Sequence, residues 1–418
     1  MNKQTKSNIL VIWPPKLEFI FSIQKHYTYF GETIGYLKDH TDLKITVMDG
    51  SSLMFFQWDF IKEYTKCYDF LLVYTDLHNS ISALKAAQLC KSISPNTTAI
   101  SYGQGTAYIP FELLENGFDA AITDYQFEES IVGFINYKIG KSNIDNLKGI
   151  VYKDKDNIVE IKDTFEHNME KISFPALDLI PVEQYKKISG RDQLCFTVSR
   201  GCSFSCKFCR VPIANSNKTS YRDIKSTIEF VKKYMSEFSS IKFIAPTFTE
   251  NREWVIKLCN EIINERIKFQ WIVTTRIELL DKELVILMSK AGCIAVAFGL
   301  ETLYQSTQAI INKEYSQDFL IKQFKLLHDN KIIPKAFIML GIQCQTKTEI
   351  DDLYSFLQSH KIEIRPKEYY PYEKFFESSN KYELMKHFDR DDVYCNNLIK
   401  DIKKIDFINY LLNRTNVR

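Results

Sequence analysis

Short apolar, β-rich runs alternate with helix-like stretches along most of this 418-residue chain. From Asn8 to about Gly140 the runs are NILVIW, KITVMD, YDFLLVYTD, TTAISYG and FDAAITD, and the segments between them include ETIGYLKDH and ISALKAAQLCKSI. Strands separated by helices cannot close as tight hairpins, so they pair in parallel and send their helices across the sheet faces. The expectation for residues 1–140 is therefore an α/β domain with a doubly wound, flavodoxin-like or Rossmann-like sheet. Such sheets bind ligands beyond the carboxyl ends of their strands. Those ends carry Trp13-Pro14-Pro15, Asp49-Gly50, Thr75-Asp76-Leu77-His78, Tyr102-Gly103-Gln104-Gly105-Thr106 and Asp124-Tyr125.

Residues 141–190 break the alternation. GIVYKDKDNIVEIKD reads as a hairpin about an Asp-Asn turn, and SFPALDLIPVEQY as an ordered linker between domains. From Cys195 the beat resumes at a longer interval, with CFTVS, IKFIA, WIVTT, IAVAF and KAFIML as strands. Between them, Ile224, Ile228, Val231 and Met235 recur at helical spacing, as do Val255, Leu258, Cys259 and Ile262, and Ile350, Leu353, Tyr354 and Leu357. These stripes are core faces. Too few strand–helix units fit for a closed eight-stranded barrel, so residues 191–365 are expected to form a partial (β/α)6 barrel with reactive groups at the strand carboxyl ends. Residues 366–418 read as a closing tail, in which Tyr369, Tyr370 and Tyr372 suit aromatic packing better than a substrate pocket.

Composition narrows the function. The 54 Lys+Arg against 52 Asp+Glu leave a net charge of +2, without the basic footprint of a nucleic-acid binder. No apolar run approaches the ~20 residues of a membrane span. The start, MNKQTKSNILVIWPPK, reads as a first strand and not as a signal peptide, so a reducing, cytoplasmic setting is expected. Of ten cysteines, Cys67, Cys90, Cys195, Cys259, Cys293, Cys344 and Cys395 are scattered and read as small buried hydrophobes.

The other three are grouped. After CFTVS comes Ser-Arg-Gly-Cys202-Ser-Phe-Ser-Cys206-Lys-Phe208-Cys209. Thiolates are soft ligands suited to zinc or to iron–sulfur clusters. A structural zinc site closes four ligands, and no fourth Cys or His follows nearby. Three thiols on a 4Fe-4S cluster leave one iron open to a substrate or cofactor, and the spacing favours that arrangement.

C-x3-C-x2-C with an aromatic at Phe208 resembles the signature of the radical S-adenosylmethionine superfamily. The resemblance implies that Cys202, Cys206 and Cys209 hold a 4Fe-4S cluster whose open iron binds S-adenosylmethionine, with the Phe208 backbone facing the adenine. Ala245-Pro246-Thr247 stands where the family contacts the methionine amino group, without its usual acidic or glycine pattern, which puts Thr247 there. WIVTTRIELL is similar to the strand whose arginine, Arg276, lies near the ribose or carboxylate. AFGLET resembles the G-[IL]-E-[ST] segment and makes Glu301 a polar contact; IMLGIQCQTKTE sets Gly341 beside the adenine. Rim salt-bridging is the bland alternative for Arg276, and a structural role the alternative for Glu301.

A doubly wound domain, a linker and such a barrel together resemble the cobalamin-binding subclass of the superfamily. The resemblance implies cobalamin contacts at Pro15, Thr75, Asp76, Tyr102, Gly103, Gln104, Gly105, Asp124 and Glu128. His78 lies in a partial D-x-H pattern that lacks the following glycine, so a corrinoid without a histidine ligand is expected, and Asp76 suits an N-cap equally well. The implied activity is methylation of an unactivated carbon or phosphorus. The alternatives are cyclisation, ring contraction or rearrangement with the corrinoid, or a radical enzyme whose first domain no longer binds it. The implied partners are a small-molecule or peptide substrate and an electron donor such as flavodoxin or ferredoxin.

Overall fold

The computed structural model describes residues 6–15, 26–50, 52–53, 57–162, 168–190, 192–209, 211, 218–370, 379–382, 385, 406 and 409–410. They fall into two compact units. The first holds the described residues up to 162, with 171–190 and 379–385; the second holds 168–170, 192–370 and 406–410. Among the described residues no helix is long and apolar enough to cross a membrane.

The first unit is built on seven strands: β1 (Asn8–Trp13), β2 (Lys44–Asp49), β3 (Phe70–Tyr74), β4 (Thr98–Tyr102), β5 (Ala120–Ile122), β6 (Ile150–Asp154) and β7 (Asn157–Ile161). Their order is β2-β1-β3-β4-β5-β6-β7. The first five run parallel, in the doubly wound order expected from the alternation. Ile9 to Ile12 are fully buried and all five residues of β3 are buried, which explains their uninterrupted apolar runs. The chain reverses its strand order between β1 and β3, and a crevice opens at such a switch point.

Two features of residues 141–190 differ from expectation. The hairpin is part of the sheet: β6 pairs antiparallel with β5, and β7 extends the sheet beyond it. Ile150, Val151 and Tyr152 are buried there, apolar surface that a free-standing hairpin has nowhere to bury. Its two-residue turn is Lys155-Asp156, one position earlier than the Asp-Asn reading. The segment after residue 170 also packs on this unit, with Ala176 N donating to Gly31 O at 3.1 Å and Tyr185 Oη to Asp49 Oδ2 at 2.6 Å.

The second unit contains β8 (Gln193–Thr197), β9 (Ser199–Arg200), β10 (Ser220–Tyr221), β11 (Ser240–Ile244), β12 (Trp271–Thr275), β13 (Cys293–Glu301), β14 (Ile333–Leu340) and β15 (Glu363–Glu368). Six form one parallel sheet in the order β15-β14-β13-β12-β11-β8, the partial barrel expected. Its last strand runs past residue 365 and includes Pro366, which the sequence reading assigned to the tail. Among the described residues that strand pairs only with β14, and an edge strand tolerates a residue without an N–H.

Side-chain caps mark where several helices of this unit begin. Asp223 accepts from Ser226 N, Asn251 from Trp254 N, Asp281 from Leu284 N and Ser316 from Phe319 N. Thr346 and Glu349 form a reciprocal capping box. The scattered cysteines divide: Cys90, Cys259 and Cys293 are buried, Cys195 is half-buried, and Cys67 and Cys344 are exposed. The exposed pair sit at positive φ, 53° and 67°, in turns and not on apolar faces. Cys395, Tyr372 and most of the expected tail lie outside the described residues.

Candidate active site

The three grouped cysteines follow β8 on a loop that leaves through β9 and returns through β10, which pair antiparallel. Arg222 fastens the return: its N donates to Val198 O at 2.8 Å and its Nε to Thr197 O at 2.9 Å. Gly201, at φ 91°, turns the chain out of β9, in a region that favours glycine. Nothing in the apolar pattern announced this short clamp.

Within the loop, Cys202 is buried and its Sγ lies 3.5 Å from Thr247 Oγ1. Burial pushes the Cys202 thiol up, with the Thr247 hydrogen bond opposing. Cys209 N donates to Cys206 O at 3.0 Å, and both residues are half-buried. Glu250, after β11, accepts Ser203 N at 3.1 Å and Thr219 Oγ1 at 2.5 Å on one oxygen.

Arg276, directly after β12, faces this loop. Its Nη1 donates to Cys206 Sγ at 3.1 Å, and its guanidinium lies 4.1 Å from the Phe204 ring centroid. The rest of the fork is held by Glu278, whose other oxygen accepts Tyr315 Oη at 2.9 Å. Burial works against the charge on Arg276, but Glu278 beside it holds the group above its ordinary range. Sequence reasoning missed Glu278, Tyr315, Glu250 and Lys313, which come from three separate connections, after β11, after β12 and between the helices Gln305–Ile311 and Gln317–Asp329.

Glu301 is also engaged. It ends β13 at φ 70°, where the register with β14 slips between Gly299 and Glu301, and its Oε1 lies 3.2 Å from Lys313 Nζ, both side chains being buried. Burial raises its carboxyl, with Lys313 opposing. A Cβ on Gly299 would lie 2.0 Å from Glu301 Oε1 and 2.5 Å from Lys313 Nζ, so the ion pair lies directly over that glycine. Gly341, at φ 95°, donates its N–H to Gln345 Oε1 at 2.8 Å. Phe208 packs against Ile311, Ile342 and Tyr369, which joins the aromatic of the cysteine motif to the turn containing Gly341. Tyr369 packs, as expected.

Thus Cys202 and Thr247 meet, as do Cys206 and Arg276, and Phe208 reaches the neighbour of Gly341. Among the described residues no three His, Cys, Asp or Glu side chains converge as a site for a single metal ion. A cubane presents separate irons to separate thiolates, so three soft sulfurs on a clamped loop, one already accepting an arginine N–H, suit it better than a mononuclear zinc site.

At the carboxyl edge of the first sheet the expected contacts separate into two groups. Thr75, Tyr102, Asp124 and Glu128 are buried. Thr75 Oγ1 accepts from Ser101 Oγ at 2.8 Å, Asp124 accepts from Gln126 N and Ser130 Oγ, and the Tyr102 ring meets Tyr74 and Phe127. Pro15, Asp76 and Gln104 are half-buried on adjacent strand ends, and Asp76 forms the capping box with Asn79. A Cβ on Gly103 would fall 2.7 Å from Thr75 O, and on Gly105 2.6 Å from the backbone of Asp76 and Leu77. These glycines let the two turns pack on each other, and their Cβ positions do not open onto a ligand cradle. Of the expected corrinoid contacts, Pro15, Asp76 and Gln104 are the half-buried ones at this edge. Beside them Trp13 stacks between His26, at 3.6 Å between centroids, and Tyr74, at 4.1 Å. Asp49 binds His26 Nδ1 and Tyr185 Oη, each at 2.6 Å. Burial raises the Asp49 carboxyl, but His26, Tyr185 and Ser52 N outweigh it and leave it below its ordinary value.

Comparisons with known proteins place the fold among relatives. An uncharacterized methyltransferase of Pyrococcus horikoshii is 22% identical over 67% of this chain and 62% of its own. The anaerobic magnesium-protoporphyrin IX monomethyl ester cyclase of Rubrivivax gelatinosus is 26% identical over 65% and 51%. Each match spans less than two thirds of the relative's own length. Among solved structures, the radical S-adenosylmethionine methyltransferase TsrM from Kitasatospora setae superposes with a TM-score of 0.71 at 13% identity, covering 87% of this chain and 73% of that one. The cobalamin-dependent S-adenosylmethionine radical enzyme OxsB superposes at 0.70 and 14% identity, covering 95% and 58%. At that identity the structures share a fold. Residues 196–357 match the Radical SAM superfamily, and that stretch contains all three cysteines, Thr247, Arg276, Glu301 and Gly341. The chain therefore carries a domain of the Radical SAM superfamily.

Proposed function

We propose that the chain is a radical S-adenosylmethionine enzyme that methylates an unactivated carbon or phosphorus centre of a small-molecule or peptide substrate, with a corrinoid held at the carboxyl edge of its first sheet. The observation that carries this reading is the clamped three-thiol loop after the first strand of a parallel partial barrel, with Arg276 donating to Cys206 Sγ. Cys202, Cys206 and Cys209 hold a 4Fe-4S cluster. Thr247, Phe208 and Gly341 border the position of S-adenosylmethionine. When bound, the pair supplies a 5′-deoxyadenosyl radical able to remove hydrogen from an unactivated carbon, given one electron from a donor of the flavodoxin or ferredoxin type.

The residues of this chain supply placement. Glu250 and Arg222 hold the loop, and the buried Cys202 keeps its sulfur from water. Pro15, Asp76 and Gln104 supply the corrinoid edge, and no ligand to cobalt is assigned to His78. The match to the Rubrivivax cyclase favours a second reading, in which the same centre closes a ring without methyl transfer.

Anaerobically reconstituted protein, incubated with hydroxocobalamin and methyl-labelled S-adenosylmethionine, tests both. About four irons per chain, a retained corrinoid absorption band and label in a product support methylation. 5′-Deoxyadenosine with no labelled product favours the second reading. Iron retained by the triple cysteine variant removes the cluster assignment.

A further inference from the structure

Resting on the cluster assignment above, we propose that Arg276 sets the reduction potential of the cluster through its hydrogen bond to Cys206 Sγ, and that Glu278 is the counter-charge that moderates it. Thr247 meets the sulfur of Cys202 and Arg276 that of Cys206. Of these two partners only the arginine carries charge. The fork is not free to turn away. Glu278 grips it, Tyr315 Oη fixes the second oxygen of Glu278 at 2.9 Å, and the Phe204 ring covers one face. The Arg276 side chain is 17% exposed and that of Glu278 28%, so neither charge is fully screened by water.

One-electron reduction of a 4Fe-4S cluster adds a unit of negative charge to the irons and their sulfur ligands, with no proton needed for balance. A hydrogen bond and a positive charge at a ligating sulfur stabilise that reduced form, since hydrogen bonds to sulfur and local charge are among the terms that set such potentials. Glu278 acts in the opposite sense, because its negative charge offsets that of Arg276. Arg276 and Glu278 are thus positioning residues with opposite effects on a single measurable quantity. A purely structural role predicts no such opposition, because loss of either partner would loosen the same contact.

The test is an EPR-monitored redox titration of the anaerobically reconstituted full chain, with dithionite as the electron donor and mediators present. Iron and sulfide content are measured first. Arg276→Met is expected to shift the midpoint potential downward, Arg276→Lys to shift it less, and Glu278→Gln to shift it upward. An unchanged potential in Arg276→Met with full iron content overturns the proposal, as does a shift of Arg276→Met and Glu278→Gln in the same direction. If Arg276→Met loses iron, Glu278→Gln decides, since it leaves the arginine and all three thiols in place; an unchanged or lowered potential there overturns the proposal. Failure of the wild-type chain to assemble a cluster counts against the proposed function itself and is read before any potential is measured.

Discussion

Glu250 accepts the backbone N–H of Ser203 at 3.1 Å, so a carboxylate from the loop after β11 holds the residue next to Cys202. The same oxygen binds Thr219 at the far end of the loop, which makes one side chain a brace across the whole cysteine segment. Hydrogen bonds to a charged group contribute about 1.5–3 kcal/mol each. Glu250→Ala is expected to lower iron content after anaerobic reconstitution without abolishing it, whereas Cys202→Ala abolishes it. Glu250→Gln, which keeps an acceptor oxygen, is expected to load close to wild type. Iron per chain, measured colorimetrically, checks all three.

Lys313→Met leaves Glu301 buried without its partner. Removing one member of a buried pair costs about 3–5 kcal/mol, so the urea midpoint of the second unit is expected to fall sharply. Lys313→Met combined with Glu301→Gln removes both charges and is expected to regain most of that loss. A double variant as unstable as the single one would show that the pair is not the cause.

Acid should weaken the first unit through Asp49. Its carboxyl lies below the ordinary value of 3.8 in the folded chain, so as pH falls the unfolded chain takes up the proton first. Its contribution is present above that ordinary value and is lost as pH falls through the lower folded one. Asp49→Asn is expected to be less stable by about 1.5–3 kcal/mol at pH 6 and to lose less on going to pH 3. Urea midpoints across that range give both slopes.

Gly35 sits inside the helix Glu32–His40, where alanine would normally gain about 1 kcal/mol. Here an added Cβ would lie 2.1 Å from Phe174 O, a backbone atom that cannot swing aside. Gly35→Ala is expected to lose about 1–3 kcal/mol, as overpacked sites do, detectable as a lower midpoint in chemical denaturation.

The fold was legible where a pattern is local. Four contiguous buried residues in β1 and five in β3 report two-sided burial directly, and the alternation of strand and helix leaves little choice of connection. The cysteine spacing was equally readable, because its three ligands lie on one loop. What could not be read depends on contacts between distant segments. Glu278 and Tyr315 bond across 37 positions of sequence, and neither carries a mark that sets it apart from a surface residue. The tail was expected to begin at Pro366, and nothing local reveals that β15 runs on through it to Glu368. At Gly103 and Gly105 an added Cβ would meet the backbone of residues 75–77, a packing of one turn on another that no local pattern reveals.

That last arrangement bears on the thermodynamics of the sheet edge. Because the turn after β4 is already folded against residues 75–77, its conformational entropy was lost when the chain folded, not when a ligand arrives. A molecule docking on Pro15, Asp76 and Gln104 would meet a preorganised surface, with no ordering of that turn charged against its affinity. Amide exchange in the turn should then be slow before ligand is added and change little afterwards.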